Sequence, residues 1–353
     1  MLKRALLFGM LFSLTCLIGC ANLKKQDQNQ PITHKPADVG FMCYKTTIKV
    51  KATPDQVEQY ILFPKNVTMR SPLHSFIISS DRKLEHPGEM VEFEEIILGV
   101  PEGGRFILAY YDPGKEVWYL SDLNEGGISL MRIEYQRIGD STRVTIKYEL
   151  ERERSAATFL DDLINVQGMM AKLIDQEIVS IQKHFDPEVN SEEILAKGRI
   201  GEFYEAFYQG QELSVQVNRP LGKTISYLTD PRTWQTWKEN FGYDFAQCLA
   251  KPESGRCEVH LKMFGGEKTI DSFAGRSKPG EYATAFWVDY PIFARVKVIL
   301  KPCSAGTRIT VQYMVEVPFI MSEVGPDLIA NILSLPQILD QFLLSIKNDI
   351  EKS

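Results

Sequence analysis

Residues 142–151, TRVTIKYELE, return 165 positions later at residues 307–316 as TRITVQYMVE, with five of ten identical and the apolar positions in step. The same offset carries Asp162, Leu163 and Ile164 onto Asp327, Leu328 and Ile329, and Asp175, Gln176, Ser180 and Ile181 onto Asp340, Gln341, Ser345 and Ile346. Upstream, an offset of 167 aligns Val50 with Val217, Tyr60 with Tyr227, Pro64 with Pro231 and Gly88 with Gly255. A period this long is a whole domain, since solenoids and propellers repeat every 20–50 residues or so. The chain is one domain, duplicated. A length of 353 residues accommodates two domains of roughly 150, and each copy is long enough to bury its own core.

The N-terminus sets Lys3 and Arg4 before a charge-free apolar run from Ala5 to Ile18, ending in Leu17-Ile18-Gly19-Cys20. That run is short for a bilayer span of about 20 residues and reads as an export signal. Its last four residues resemble a bacterial lipobox. The resemblance implies cleavage after Gly19, a lipid on Cys20, and, with Ala21 rather than an aspartate next, sorting to the periplasmic face of the outer membrane. Losing residues 1–19 removes Lys3 and Arg4 and no acid, so the formal net charge moves from -6 to -8. Such an acidic body has no electrostatic footprint for nucleic acid, and its membrane affinity would come from acyl chains. Ala21 to Asp38 is polar, proline-bearing and aperiodic, which reads as a flexible tether.

Four cysteines remain once Cys16 is removed and Cys20 is acylated. Cys248 and Cys257 flank the turn Lys251-Pro252-Glu253-Ser254-Gly255, so a hairpin could bridge them, while Cys43 and Cys303 read equally well as buried thiols. No pair has C-x-x-C spacing, so neither a zinc site nor a thioredoxin-like centre is supported, and no cofactor is implied.

In the first copy Thr46 to Lys51 alternates as a strand. Thr53 is placed to cap a helix whose first position is Pro54. The helix stops near Phe63-Pro64, and a short helix or turn follows over Lys65 to Arg70. The second copy repeats the plan with a strand over Leu213 to Val217, a helix over Pro220 to Leu228, then Pro231 to Lys238. Turn signals at His86-Pro87-Gly88, Glu102-Gly103-Gly104, Asp112-Pro113-Gly114, Asn124 to Gly127 and Gly139-Asp140-Ser141 punctuate an antiparallel meander. In its last strand Val144, Ile146, Tyr148 and Leu150 alternate with polar residues, as do Ile309, Val311, Tyr313 and Val315 in the second copy. Each copy closes with a long amphipathic helix, from about Leu160 to Phe185 and from Leu328 to Ile346. Pro336 should kink or restart the second. Between the copies, Asp186 to Gln211 looks helical from Ser191, with Phe203, Tyr204, Phe207 and Tyr208 along one side, as a connecting helix packed on one or both domains would have.

This order of elements resembles the START-like superfamily, also called the Bet v 1 or SRPBCC fold. Residues 48–57, IKVKATPDQV, look like the opening of its polyketide cyclase and coenzyme Q-binding members. The resemblance covers residues 41–185 and again 212–350, and it lies in the order of elements, because the family has no universal catalytic signature. It implies an α+β fold of two tandem helix-grip domains, each a curved antiparallel sheet around a long helix with an apolar cavity between them. The expected divisions are a signal peptide at 1–19, a tether at 20–40, a first domain at 41–185, a helical linker at 186–211 and a second domain at 212–353. Segments 39–189 and 210–353 are expected to fold independently.

Gly168, Met169 and Met170 sit mid-helix, where methionine fills irregular space adaptably. With Leu173 they are candidates for a cavity wall, beside Met131, Ile133, Tyr135 and Tyr148 on strands and Tyr110 and Trp118 nearby. In the second copy Val298, Tyr313 and Leu335 are the corresponding candidates. Trp234 and Trp237, three apart, share a helix face and suit a pocket mouth or a lipid interface. Sealed core packing is the competing reading for all of these. No histidine recurs at its repeat-equivalent position, and no H-E-x-x-H, G-x-S-x-G or glycine-rich phosphate loop is present, so catalysis finds little support. The reading is a membrane-anchored lipoprotein that binds or transfers a hydrophobic molecule, such as a lipid or isoprenoid. The rivals are a non-catalytic interaction module of the envelope and a cyclase or hydrolase of the same superfamily.

Overall fold

The computed structural model describes residues 32–37, 39–67, 74–78, 81–97, 100–123, 128–153, 165–206, 208–230, 233, 256–263, 266–273, 281–289, 292–316 and 326–352. The first repeat runs β2 (Val39–Val50), α1 (Pro54–Ile61), a single 3-10 turn (Pro64–Asn66), β3 (His74–Ile78), β4 (Met90–Ile97), β5 (Val100–Asp112), β6 (Glu116–Leu123), β7 (Ile128–Ile138), β8 (Ser141–Glu153) and α2 (Val166–Phe185). The second runs β10 (Tyr208–Val217), α4 (Leu221–Thr229), β11 (Arg256–Met263), β12 (Gly266–Phe273), β13 (Glu281–Asp289), β14 (Ile292–Cys303), β15 (Gly306–Glu316) and α5 (Pro326–Lys352). β1 (Ile32–Pro36) precedes the first repeat, and α3 (Ser191–Ala196) and β9 (Glu202–Tyr204) lie between the two.

Local chemistry explains where α1 begins. The Thr53 hydroxyl accepts from the Gln56 N–H at 3.3 Å, and the Gln56 carboxamide oxygen accepts from the Thr53 N–H at 2.9 Å, a reciprocal capping box with Pro54 in the first turn. β2, β8 and β7 pair antiparallel, and their inward residues Met42, Tyr44, Ile133, Val144 and Ile146 close over Met170, Leu173, Ile174, Ile178 and Ile181 of α2. Each such side chain contributes about 1.5–3 kcal/mol through burial. A second core joins Leu213, Val215, Ile309, Val311 and Tyr313 to Leu339, Leu343, Ile346 and Ile350 of α5.

Four expectations are corrected. Glu102-Gly103-Gly104 is not a turn but lies inside β5, with Gly104 opposite both Phe93 and Leu123, where pairing to the flanking strands overrides the local turn preference. α5 does not restart at Pro336 but is assigned as helix from Pro326 to Lys352, with burial of its later turns holding it. The linker is helical only over Ser191–Ala196, and Phe203, Tyr204 and Tyr208 lie on strands, as aromatic residues after Gly198 and Gly201 favour. Ile32–Pro36, assigned to a flexible tether, is a strand.

That strand belongs to a reciprocal exchange. β1 pairs with β10, at the edge of the second repeat's sheet, in the order β1-β10-β15-β14-β13-β12-β11. β9 pairs with β2, at the edge of the first repeat's sheet, in the order β3-β4-β5-β6-β7-β8-β2-β9. The 167-residue offset maps one pairing on the other: Lys35 opposite Glu212 becomes Glu202 opposite Lys45, with the charges reversed. The repeated aspartates take equivalent roles. Asp175 on α2 accepts from the Ile200 N–H at 2.8 Å, the Gly201 N–H at 3.2 Å and the Tyr44 hydroxyl at 2.9 Å. Asp340 on α5 lies 3.1 Å from His34 Nε2. Each closing helix thus grips the arm that reaches its sheet from beyond its own repeat.

The outer faces of the sheets meet as well. Ile107, Trp118, Leu120, Ile128 and Leu130 pack with Phe293 of β14, and Phe41 stacks on Tyr208 with ring centroids 3.8 Å apart. Arg132 lies over the Trp118 ring at 4.5 Å, bonds to Glu149 at 3.3 Å, and pairs with Glu316 of the other repeat. In return Arg295 pairs with Glu151, which the repeat offset places in register with Glu316. The two repeats therefore share apolar and ionic contacts.

Candidate functional site

The apolar stripe of α1 carries an acid. Val57, Glu58 and Ile61 are its buried residues, and Glu58 is 9% exposed. Its carboxylate accepts from the Tyr135 hydroxyl at 2.5 Å, the Tyr111 hydroxyl at 2.8 Å and the Gly114 N–H at 2.6 Å. Gly114 takes a φ of 80° in the β5–β6 turn, a conformation that glycine adopts without strain. Burial works to raise the Glu58 carboxyl, but the hydrogen bonds from Tyr135, Gly114 and Tyr111 outweigh it and hold the group below its ordinary value. The phenols move the other way. Burial, then Glu58, pushes Tyr111 up to about 12 and Tyr135 well above its usual range, so both stay protonated donors.

Tyr135 of this cluster also belongs to the packed core between sheet and helix. Met131, Ile133, Tyr135, Tyr148, Met170 and Leu173 all lie in the first core, and Tyr119 donates to the Ile61 carbonyl at 2.8 Å from the same face. Glu177, 3% exposed, sits on the α2 stripe between Ile174 and Ile181. Met169 is half-buried beside that stripe. Tyr110 and Trp118 are corrected: they belong to the outer cluster against the second repeat, on the face opposite α2. Alternation put Val117 and Tyr119 inward and Trp118 outward, and sequence could not show that the outward face is also covered. Val298 is half-buried against the second core and Tyr313 lies within it. The side chain of Leu335 and all of Trp234, Trp237, Cys20 and Cys248 lie outside the described residues, and Cys257 is described only as backbone on β11.

The second repeat does not reproduce the cluster. Ile225 stands at the position of Glu58, Leu300 at that of Tyr135 and Phe342 at that of Glu177. On the far flank of α1 a solvent-open concavity of ≈ 490 Å³ is lined by Gln59, Tyr60, Phe63, His184 and Phe185, among others. Tyr60 and His184 stack there at 4.1 Å. Among the described residues no group of histidine, cysteine and carboxylate side chains is arranged to hold a metal.

Sequence reasoning passed over Glu58 and Glu177. The available signal was a carboxylate placed on an otherwise apolar helical stripe, which burial makes expensive unless donors meet it.

Two curved antiparallel sheets, each closed by a long helix, define the architecture. This is a tandem helix-grip protein. No family model matches its sequence, and no curated protein matches it. Solved structures similar to the tandem helix-grip chain include the di-domain ARO/CYC StfQ from the steffimycin biosynthetic pathway, 12% identical, covering 87% of this chain and 98% of that one with a TM-score of 0.30. The di-domain ARO/CYC BexL from the BE-7585A pathway is 12% identical, covering 88% and 99% with a TM-score of 0.32. Protein CV1439 from Chromobacterium violaceum is 12% identical, covering 40% and 99% with a TM-score of 0.30.

The Glu58 cluster gives a first expected result. Replacing Glu58 with Gln removes charge-assisted hydrogen bonds and should destabilise the protein by about 1–3 kcal/mol at neutral pH. Because the folded carboxyl sits below its ordinary 4.5, its stabilisation is complete above that pH and fades as pH falls through the lower folded value. Urea midpoints of the two proteins should therefore converge in acid. A gap that persists unchanged at low pH would mean that the charge is not what holds α1 to the hairpin.

Proposed function

We propose that the chain is a lipid-anchored envelope protein whose first repeat binds an apolar molecule bearing a hydrogen-bonding head. The observation that carries this reading is the Glu58–Tyr111–Tyr135 cluster in the first repeat, with Ile225 and Leu300 standing where the second would need Glu58 and Tyr135. Apolar walls supply affinity through removal of surface from water, and a few convergent polar groups fix orientation. Met131 and Met170 suit a chain-like ligand, since an unbranched thioether side chain adapts to its shape. Anchoring rests on the resemblance of Leu17-Ile18-Gly19-Cys20 to a lipobox.

The test is mass spectrometry of solvent extracts from the Cys20→Ser protein, which removes the anchor lipid from the signal. An apolar molecule should co-purify, and Met170→Trp should lower its occupancy while leaving the unfolding transition cooperative. An empty extract together with an unchanged Met170→Trp protein would sink ligand binding. Acid–base chemistry is a second reading, favoured by the 2.5 Å contact between Tyr135 and Glu58. It requires that the recovered ligand be converted on incubation, whereas a carrier returns it unchanged.

A further inference from the structure

β1 is where the described chain begins. Ile32 lies opposite Val215 and Pro36 opposite Gln211, so β1 read from Pro36 back to Ile32 runs alongside β10 in the direction of Val217. That direction leads to one end of the second repeat. There the Thr307 hydroxyl donates to the Arg219 carbonyl at 2.8 Å, the Arg219 guanidinium donates to the Ile350 carbonyl at 3.1 Å, and the Asn218 N–H donates to Glu351 at 3.2 Å. The start of α4, the β14–β15 turn and the last turn of α5 are thereby tied into one surface.

Its chemistry departs from that of the whole. In a chain of net charge -6, this end exposes Lys223 on α4, Lys301 and Arg308 beside the β14–β15 turn, and Lys352 at the close of α5, beside the exposed Glu351, which pairs with Lys347. Ile225 on α4 is 37% exposed, one of two large apolar side chains so exposed among the described residues. The equivalent helix of the first repeat has Asp55 and Glu58 where α4 has Gly222 and Ile225. Only residues 21–31 separate Cys20 from β1, a reach of about 40 Å at most.

Resting on the anchored reading above, the geometry points to this end of the second repeat as a docking surface for an anionic lipid bilayer. The short connection holds the surface near the membrane that carries the acyl chains. Cations close to such a surface are attracted to it, an effect that fades beyond a Debye length. The first repeat then faces away from the lipid or along it, with its Glu58 cluster off the contact.

The test is lysine footprinting of the full lipidated chain on vesicles of phosphatidylethanolamine and phosphatidylglycerol, with the Cys20→Ser protein in solution as reference. Acylation of Lys223, Lys301 and Lys352 should fall severalfold on vesicles, while Lys115 and Lys51, with side chains 74% and 69% exposed in the first repeat, keep their solution reactivity. Ile225→Asp, at an exposed position, should restore Lys223 labelling without detaching the protein. Protein that floats with vesicles while these lysines react as in solution would overturn the docking surface and leave the anchor intact. Wild-type protein that does not float would overturn the anchor, and the surface with it.

Discussion

Cut between its repeats, the chain should yield two halves that do not fold as they do together. A fragment of residues 39–189 loses β9 and leaves Tyr44 and Asp175 without the backbone donors of Ile200 and Gly201. It also exposes Ile107, Trp118, Leu120 and Leu130, and strips Arg132 of Glu316. A fragment of residues 210–353 loses β1 from the edge of its sheet and presents Phe293 and Arg295, each about fully buried in the intact chain, to water. Breaking one buried ion pair is typically worth about 3–5 kcal/mol, a large part of the ~5–15 kcal/mol by which whole domains are stable. Circular dichroism melts should show broad, early or absent transitions for each fragment, and mixing fragments extended to carry their arms should restore one cooperative transition. Two fragments that each melt as sharply as the parent would show that the exchanged strands are ornaments on independent domains.

Arg132→Ala should be the most damaging single substitution at the contact between repeats. Arg132 is 9% exposed, and Glu149 beside it is 1% exposed. Burial alone would make Arg132 easier to deprotonate, but Glu149 and Glu316 overcome that and hold the cation firmly. Removing it leaves both carboxylates in a site where burial already raises Glu316, and among the described residues the hydroxyls of Tyr204 and Tyr208 remain to serve Glu149. A loss of about 3–5 kcal/mol is expected. Arg132→Lys should recover part of it, since an ammonium restores the charge without the planar fork or the stack on Trp118. Guanidinium midpoints for the three proteins provide the measurement, and an Arg132→Ala midpoint within error of the parent would refute the assignment.

The architecture was largely legible because it depends on local periodicity. Val144, Ile146 and Tyr148 alternate on β8, apolar steps of three and four recur on α2, and Thr53-Pro54 announces α1; each of these patterns is set by neighbours along the chain. The exchange of arms was not legible. Ile32–Pro36 contains His34, Lys35 and Pro36, a poor strand by composition, and it is a strand because β10 offers an edge and Asp340 and Glu212 meet its side chains. The same limit hid the site. The apolar stripe of α1 marks Glu58 as an acid in need of donors, but Tyr111 and Tyr135, more than fifty residues away, become its partners only when the chain is folded.

The crossed arms also bear on how such a chain arises. A single repeat with the same N-terminal arm would have no partner for that arm within itself, and would satisfy it by trading arms with a copy of itself. Such a pair is symmetric, so any substitution is made twice and both interiors change together. Joining the two halves end to end keeps every crossed contact but lets each half accept changes alone. The acid at position 58 against the isoleucine at position 225 is a difference that only the joined form can hold: the two interiors can diverge while the crossed contacts stay shared.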